Sequence, residues 1–104
     1  MTDAPHAHEP PRAEIDAMRG VALLEFGASW CPHCIAAQAP IAAALATRAD
    51  VAHLRIEDGP GRPLGRSFRV TLWPTLIVLR DGAEVARAVR PTTVEEIAQA
   101  LAAA

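Results

Sequence analysis

Cys31 and Cys34 are the only two cysteines of the chain, separated by Pro32 and His33 and placed between an apolar run and an Ala-rich stretch. Residues three apart meet across one turn of a helix, close enough for a disulfide when the first sits at the helix start. There the leading amides lack intrahelical partners and the macrodipole adds partial positive charge, so a thiolate at Cys31 gains over a thiol. The gain is only about 0.3–2 kcal/mol, so the intervening dipeptide must assist. His33 can offer a proton or a positive charge to the Cys31 sulfur, and Pro32 in the first turn forfeits no hydrogen bond. The chemistry this supports is thiol–disulfide exchange. Cys31 attacks a substrate disulfide and Cys34, one turn inward, resolves the mixed disulfide; in reverse, the pair donates its own disulfide to a dithiol.

Metal binding is the competing use of such a pair. Zinc takes four protein ligands, and only His33 and the N-terminal His6 and His8 stand ready to join, so metal carriage is the weaker reading and no bound cofactor is expected. Haem attachment needs a His directly after the second Cys, where this chain has Ile35.

The elements that must hold the pair are legible on both sides of it. Residues 21–26 form a continuous apolar run interrupted by one acid, the pattern of a strand buried on both faces, which makes Glu25 conspicuous. From Cys31 to Arg48 the chain is strongly helix-forming, with a kink expected at Pro40 and the Ala-rich face expected in the core. Upstream, residues 12–19 read as a short helix stopped by Gly20. Downstream follow a strand at 51–56, a loop rich in Gly and Pro, and a short helix at 64–69. Two strands, 75–80 and 83–89, are joined by Asp81-Gly82, a strong hairpin signal. Thr93-Val94-Glu95-Glu96 matches a capping box for a last helix with Val94, Ile97, Ala98 and Leu101 on one face. Strands alternating with helices predict parallel pairing through crossovers, and the closing hairpin adds an antiparallel strand. The fold class is therefore α/β, a mixed central sheet flanked by helices on both faces.

At 104 residues the chain is one small domain, expected over residues 12–104 behind a Pro-rich flexible tail at 1–11. Ten basic residues, all Arg and scattered, face twelve acidic ones for a net charge of −2, which argues against nucleic-acid or anionic-membrane partners. No apolar run approaches the roughly 20 residues that cross a bilayer. The N-terminus lacks the cationic start and apolar stretch of a secretory signal, so a cytoplasmic location is expected. Two close cysteines in a reducing compartment are reactive or metal-binding rather than a structural staple.

Trp30-Cys31-Pro32-His33-Cys34 after a buried strand resembles the active-site segment of the thioredoxin family, and Trp73-Pro74-Thr75 before another strand resembles its cis-proline loop. The likeness covers residues 12–103 and rests on two separately placed motifs with the expected element order between them. It implies a thioredoxin-like fold and a protein disulfide oxidoreductase. Cys31 is then the nucleophile and Cys34 the resolving thiol, and Pro74 is cis, with the Trp73 backbone pairing with an extended substrate segment. It also implies that Glu25, beneath the resolving Cys, is a base with a raised pKa and that His53 lies near that acid as a relay. Trp30, Pro32, Trp73 and Pro74 are the substrate-binding candidates. Partners implied are protein thiols and disulfides and a reductant such as a thioredoxin reductase or glutathione, with a monomer expected.

The departures from that family are specific. Pro-His between the cysteines resembles the oxidising DsbA family, whose large helical insertion has no room here. Arg90-Pro91 stands where a Gly usually lines the substrate groove, and Trp73 is bulkier than the usual residue before the proline. A redox-responsive adaptor or chaperone that binds one client without turnover is the alternative function.

Overall fold

Every residue of β1 (Val21–Gly27) is buried, because this strand lies inside a four-stranded sheet of order β2-β1-β3-β4 and both its faces are covered. The structure, a computed structural model, describes residues 9–104. Around β1 run α1 (Arg12–Asp16), α2 (Pro32–Leu45), β2 (Val51–Glu57), α3 (Pro63–Ser67), β3 (Thr75–Arg80), β4 (Ala83–Val89) and α4 (Val94–Leu101). The element order is the one expected. His6 and His8 lie outside the described residues.

The two-residue period of β1 divides the core. Val21 and Leu23 join Leu76 and Val78 under α2 and α4, packed with Ala37, Ile41, Ala44, Ile97 and Leu101. Ala22, Leu24 and Phe26 face the other way, onto Ile15 of α1 and Leu64 and Phe68 beside α3. The same alternation assigns Glu25 to the α2 face, beneath the helix that begins at the cysteines.

Sheet direction differs from the sequence reading. β1 and β2 are parallel, joined by the α2 crossover, but β3 is antiparallel to β1 and β4 is antiparallel to β3. The connection, residues 58–74, carries only the five-residue α3 and no helix that runs back along the sheet. A helix that short advances about 7 Å, whereas a seven-residue strand needs about 23 Å of return travel for parallel pairing. The chain therefore re-enters the sheet at the end where β2 finished, and Thr75 pairs with Phe26. This places the Trp73-Pro74 segment at the same sheet end as Cys31.

α2 continues through Pro40 and ends at Leu45, three residues before the expected end. Its inward positions are Cys34, Ala37, Ile41 and Ala44, while Ala36, Ala39, Ala42, Ala43 and Ala46 are exposed, so only part of the Ala-rich stretch is core. The expected tail reaches the domain before Arg12: the Glu9 carboxylate accepts a hydrogen bond from the Leu64 amide at 3.0 Å, satisfying a first-turn donor of α3. α1 is fastened by Arg12, which stacks 3.7 Å over the Phe68 ring and donates to the Ser67 carbonyl at 2.8 Å. The capping box forms at α4, with Glu96 N donating to Thr93 Oγ1 and Thr93 N to Glu96 Oε1, both at 3.2 Å. Among the described residues no helix is long and apolar enough to cross a membrane.

The β3–β4 turn has positive φ at both central residues, 51° at Asp81 and 82° at Gly82, the primed turn that suits a twisted hairpin. A Cβ at Gly82 would collide with the Asp16 carbonyl, so the turn is also packed against the end of α1. Gly82→Ala is expected to destabilise the protein by about 1–3 kcal/mol, read as a lower urea midpoint with unchanged slope; an unchanged midpoint contradicts this packing.

Candidate functional site

Cys31 is the N-cap of α2, in extended conformation, with Pro32 opening the first turn. Its sulfur accepts the Cys34 amide at 3.3 Å, one of the amides a helix start leaves unpaired. Both cysteines are free thiols and both are buried, Cys31 at 5% exposure and Cys34 at 3%. Exposure therefore does not separate them, although the spacing places Cys34 one turn inward of Cys31: Trp73 packs on the cluster of Ala28, Cys31 and Cys34. Electrostatic surroundings do separate them. Burial first and a hydrogen bond with the Cys31 side chain second push the Cys34 thiol up to about 12, against an opposing bond from the Ala28 backbone, with smaller upward contributions from the charges of Cys31 and Glu25. Gly27 makes the room for it, since a Cβ there would fall 2.6 Å from Cys34 Sγ.

Beneath the pair, Glu25 is 3% exposed, which excludes an edge-exposed acid. Oε1 lies 2.8 Å from His53 Nε2, and Oε2 accepts Gln38 Nε2 at 2.7 Å with Arg55 Nε at 3.7 Å. The sheet register explains the convergence. Leu23 pairs with His53 and Glu25 with Arg55 on the parallel neighbour β2, all on the α2 face. The raised pKa expected of Glu25 is corrected by these partners. Burial alone would push its carboxyl up, but hydrogen bonds with His53 and Gln38 and the charges of His53 and Arg55 together hold it below its ordinary 4.5. Glu25 is a stabilised buried carboxylate, poorly matched to removing a proton from a thiol pushed up as far as Cys34.

Gln38, absent from the sequence candidates, ties this carboxylate to the cysteines, because the same Nε2 donates to the Cys34 carbonyl at 2.8 Å. Two signals were available in the sequence: Gln38 lies one turn after Cys34, and it is the single amide in an otherwise apolar helical stretch. Arg55, also missed, alternates with His53 along β2 and so shares its face.

Trp30 is 69% exposed and meets Trp73 edge to face at 5.7 Å between ring centres. Trp73 is partly buried, its indole N–H bonded to Asp58 Oδ2 at 2.8 Å, and the Trp73–Pro74 peptide bond is cis. The Trp73 carbonyl accepts Arg90 Nε at 2.8 Å. Pro32 and His33 are exposed. His33 lines a small cavity with Pro74 and Arg90, and among the described residues no hydrogen bond joins it to either sulfur. No group of three or more His, Cys, Asp or Glu among the described residues is arranged to hold a metal ion. The arrangement thus comprises two inequivalent thiols at a helix start, a buried anion below and an aromatic rim beside them.

The depressed Glu25 pKa has a stability consequence with a definite sign. A carboxyl that titrates below its ordinary value when folded stabilises the fold fully above 4.5 and loses that contribution as pH falls through the depressed value. The urea midpoint of the wild type should therefore fall more steeply below about pH 4.5 than that of Glu25→Gln, which has no proton to gain; parallel acid limbs contradict the assignment.

The thioredoxin family model matches residues 6–103, beginning within the expected tail. The chain is similar to the reduced form of thioredoxin 2 from Pseudomonas aeruginosa PAO1, with a TM-score of 0.86 and 50% identity over 96% of this chain and 93% of that one. It is 35% identical over 86 residues to a thioredoxin of Staphylococcus haemolyticus, covering 79% of this chain and 80% of that protein. To protein disulfide-isomerase A2 of Pongo abelii it is 38% identical over 98 residues, 73% of this chain but only 18% of the length of that relative. The match to a family model extends over nearly every residue and the likeness holds in fold and sequence together: this chain belongs to the thioredoxin family.

Proposed function

We propose that this chain is a thiol–disulfide oxidoreductase acting on protein substrates, with Cys31 as nucleophile and Cys34 as resolving thiol. The observation that carries the reading is the Cys34 amide directed at Cys31 Sγ from the head of α2. An amide donor at that point favours negative charge on Cys31, while Cys34 is held as a thiol by its burial.

In the reducing direction the Cys31 thiolate attacks one sulfur of a substrate disulfide. A bond forms between Cys31 Sγ and that sulfur, the substrate S–S bond breaks, and the departing sulfur leaves as a thiolate that takes up a proton. Cys34 then loses its proton and attacks Cys31 Sγ, forming the Cys31–Cys34 disulfide and releasing the substrate as a dithiol. Two electrons pass to the substrate, and the pair returns to the dithiol form at the expense of a reductant, for which a thioredoxin reductase or glutathione fits the family.

Glu25, bridged by Gln38 to the Cys34 backbone, is a positioning residue in this scheme, and His53 links it toward the surface at 18% exposure. His33, exposed two residues from Cys31, is the side chain of the intervening dipeptide that can tune the pair. Trp30, Ile35 and Leu72, all exposed, flank the Cys and Pro74 segments in sequence and supply apolar contact area suited to a protein partner. Pro32, Trp73 and Pro74 complete the substrate-facing rim. The protein acts as a cytoplasmic monomer in this reading.

Reduction of insulin by dithiothreitol tests it. The wild type should accelerate precipitation of the insulin B chain, Cys31→Ser should abolish the acceleration, and Cys34→Ser should trap a mixed disulfide. Tight client binding with no acceleration by the wild type would instead identify a redox-responsive adaptor.

A further inference from the structure

Arg90 occupies an unusual position. Its φ of 49° is a left-handed conformation that side-chain-bearing residues seldom adopt. Two hydrogen bonds hold it there: its amide donates to the Pro74 carbonyl and its Nε to the Trp73 carbonyl, both at 2.8 Å. Trp73 is the residue packed on Cys31 and Cys34, so the guanidinium is anchored to the cover of the reactive sulfur.

Among the described residues the charge so placed has no carboxylate partner. Arg12, Arg48, Arg55 and Arg87 each face an acid of the chain, whereas Arg90 faces a carbonyl. Glu96, which reaches Thr92 nearby, is committed to Thr92 and Thr93. Among the described residues Nη1 and Nη2 of Arg90 have no hydrogen-bond partner, although its side chain is oriented by Nε. Arg90 is exposed, and with Pro74, Pro91, Thr92 and His33, which follows Cys31 by two residues, it borders a cavity of about 100 Å³. A guanidinium fixed at one nitrogen and open at the other two is prepared to receive a planar anion of carboxylate size.

We propose that Arg90 is a specificity-determining residue that selects protein disulfides carrying Asp or Glu beside the reactive cysteine. The substrate carboxylate pairs with Nη1 and Nη2 while Nε stays on the Trp73 carbonyl. This inference rests on the redox reading above and names the substrate class for it.

Three peptides with one intramolecular disulfide each, identical except for Glu, Gln or Lys next to the attacked cysteine, test the assignment through their rates of reduction by the reduced protein. At low ionic strength the Glu peptide should react about fivefold faster than the Lys peptide, the advantage of one exposed ion pair. The ratio should shrink toward unity near 1 M salt, where the screening length is about 3 Å. Arg90→Gly, which the backbone conformation accepts, should bring the ratio near one, and Arg90→Glu should invert it. Inversion cannot arise from a folding defect. Equal rates in the wild type, or a ratio that survives Arg90→Glu, overturn the role of Arg90 alone. Failure of the wild type to reduce any of the three peptides overturns the redox reading and this inference with it.

Discussion

One hydrogen bond organises the site: the amide of Cys34 pointing at the sulfur of Cys31. Any helix leaves its first amides without partners, and N-cap side chains normally satisfy them with oxygen. Here a sulfur takes that place, so the cap is also the reactive atom. The arrangement needs a strand that ends where α2 begins, which β1 provides because its seven residues are buried at the centre of the sheet. It also needs the second cysteine one turn deeper, where Gly27 leaves space for its sulfur and burial keeps its proton on. Two chemically identical side chains thus become unequal through position alone.

The carboxylate beneath them illustrates how a buried charge is accommodated. Removing Glu25 from water disfavours its anion, yet one helix and one strand each deliver partners: Gln38 from α2, and His53 and Arg55 from β2. Together they outweigh the penalty and hold the group ionised. The same Gln38 amide group reaches the Cys34 carbonyl, so the packing of α2 on the sheet and the electrostatics of the resolving thiol are mechanically joined. A carboxylate so engaged positions and repels more readily than it accepts a proton.

Much of this was legible in the sequence because the signals are local. The hairpin followed from Asp81-Gly82, the last helix from Thr93 and Glu96, and the buried centre from the apolar run around Glu25. The family resemblance rested on the Cys31 and Trp73-Pro74 segments, and the fold and family bear it out. What was not legible depends on distance in space. The antiparallel entry of β3 depends on the path of residues 58–74 back to the sheet end where β2 finished, which no residue type announces. The direction of the Glu25 shift depends on His53 first and on Gln38 and Arg55 with it, and their convergence requires the register of β2 and the docking of α2. The burial of Cys31 depends on Trp73, more than forty residues away, folding over it.

The inequality of the two sulfurs is the claim on which the chemistry depends, and alkylation resolves it directly. The reduced protein is treated with iodoacetamide across a range of pH, and the modified cysteine is located by peptide mass spectrometry. Adducts on Cys31 ahead of Cys34 throughout the range, Cys34 being held as a thiol chiefly by its burial, are the predicted result. Equal labelling of both cysteines at neutral pH, or labelling of Cys34 first, contradicts the account.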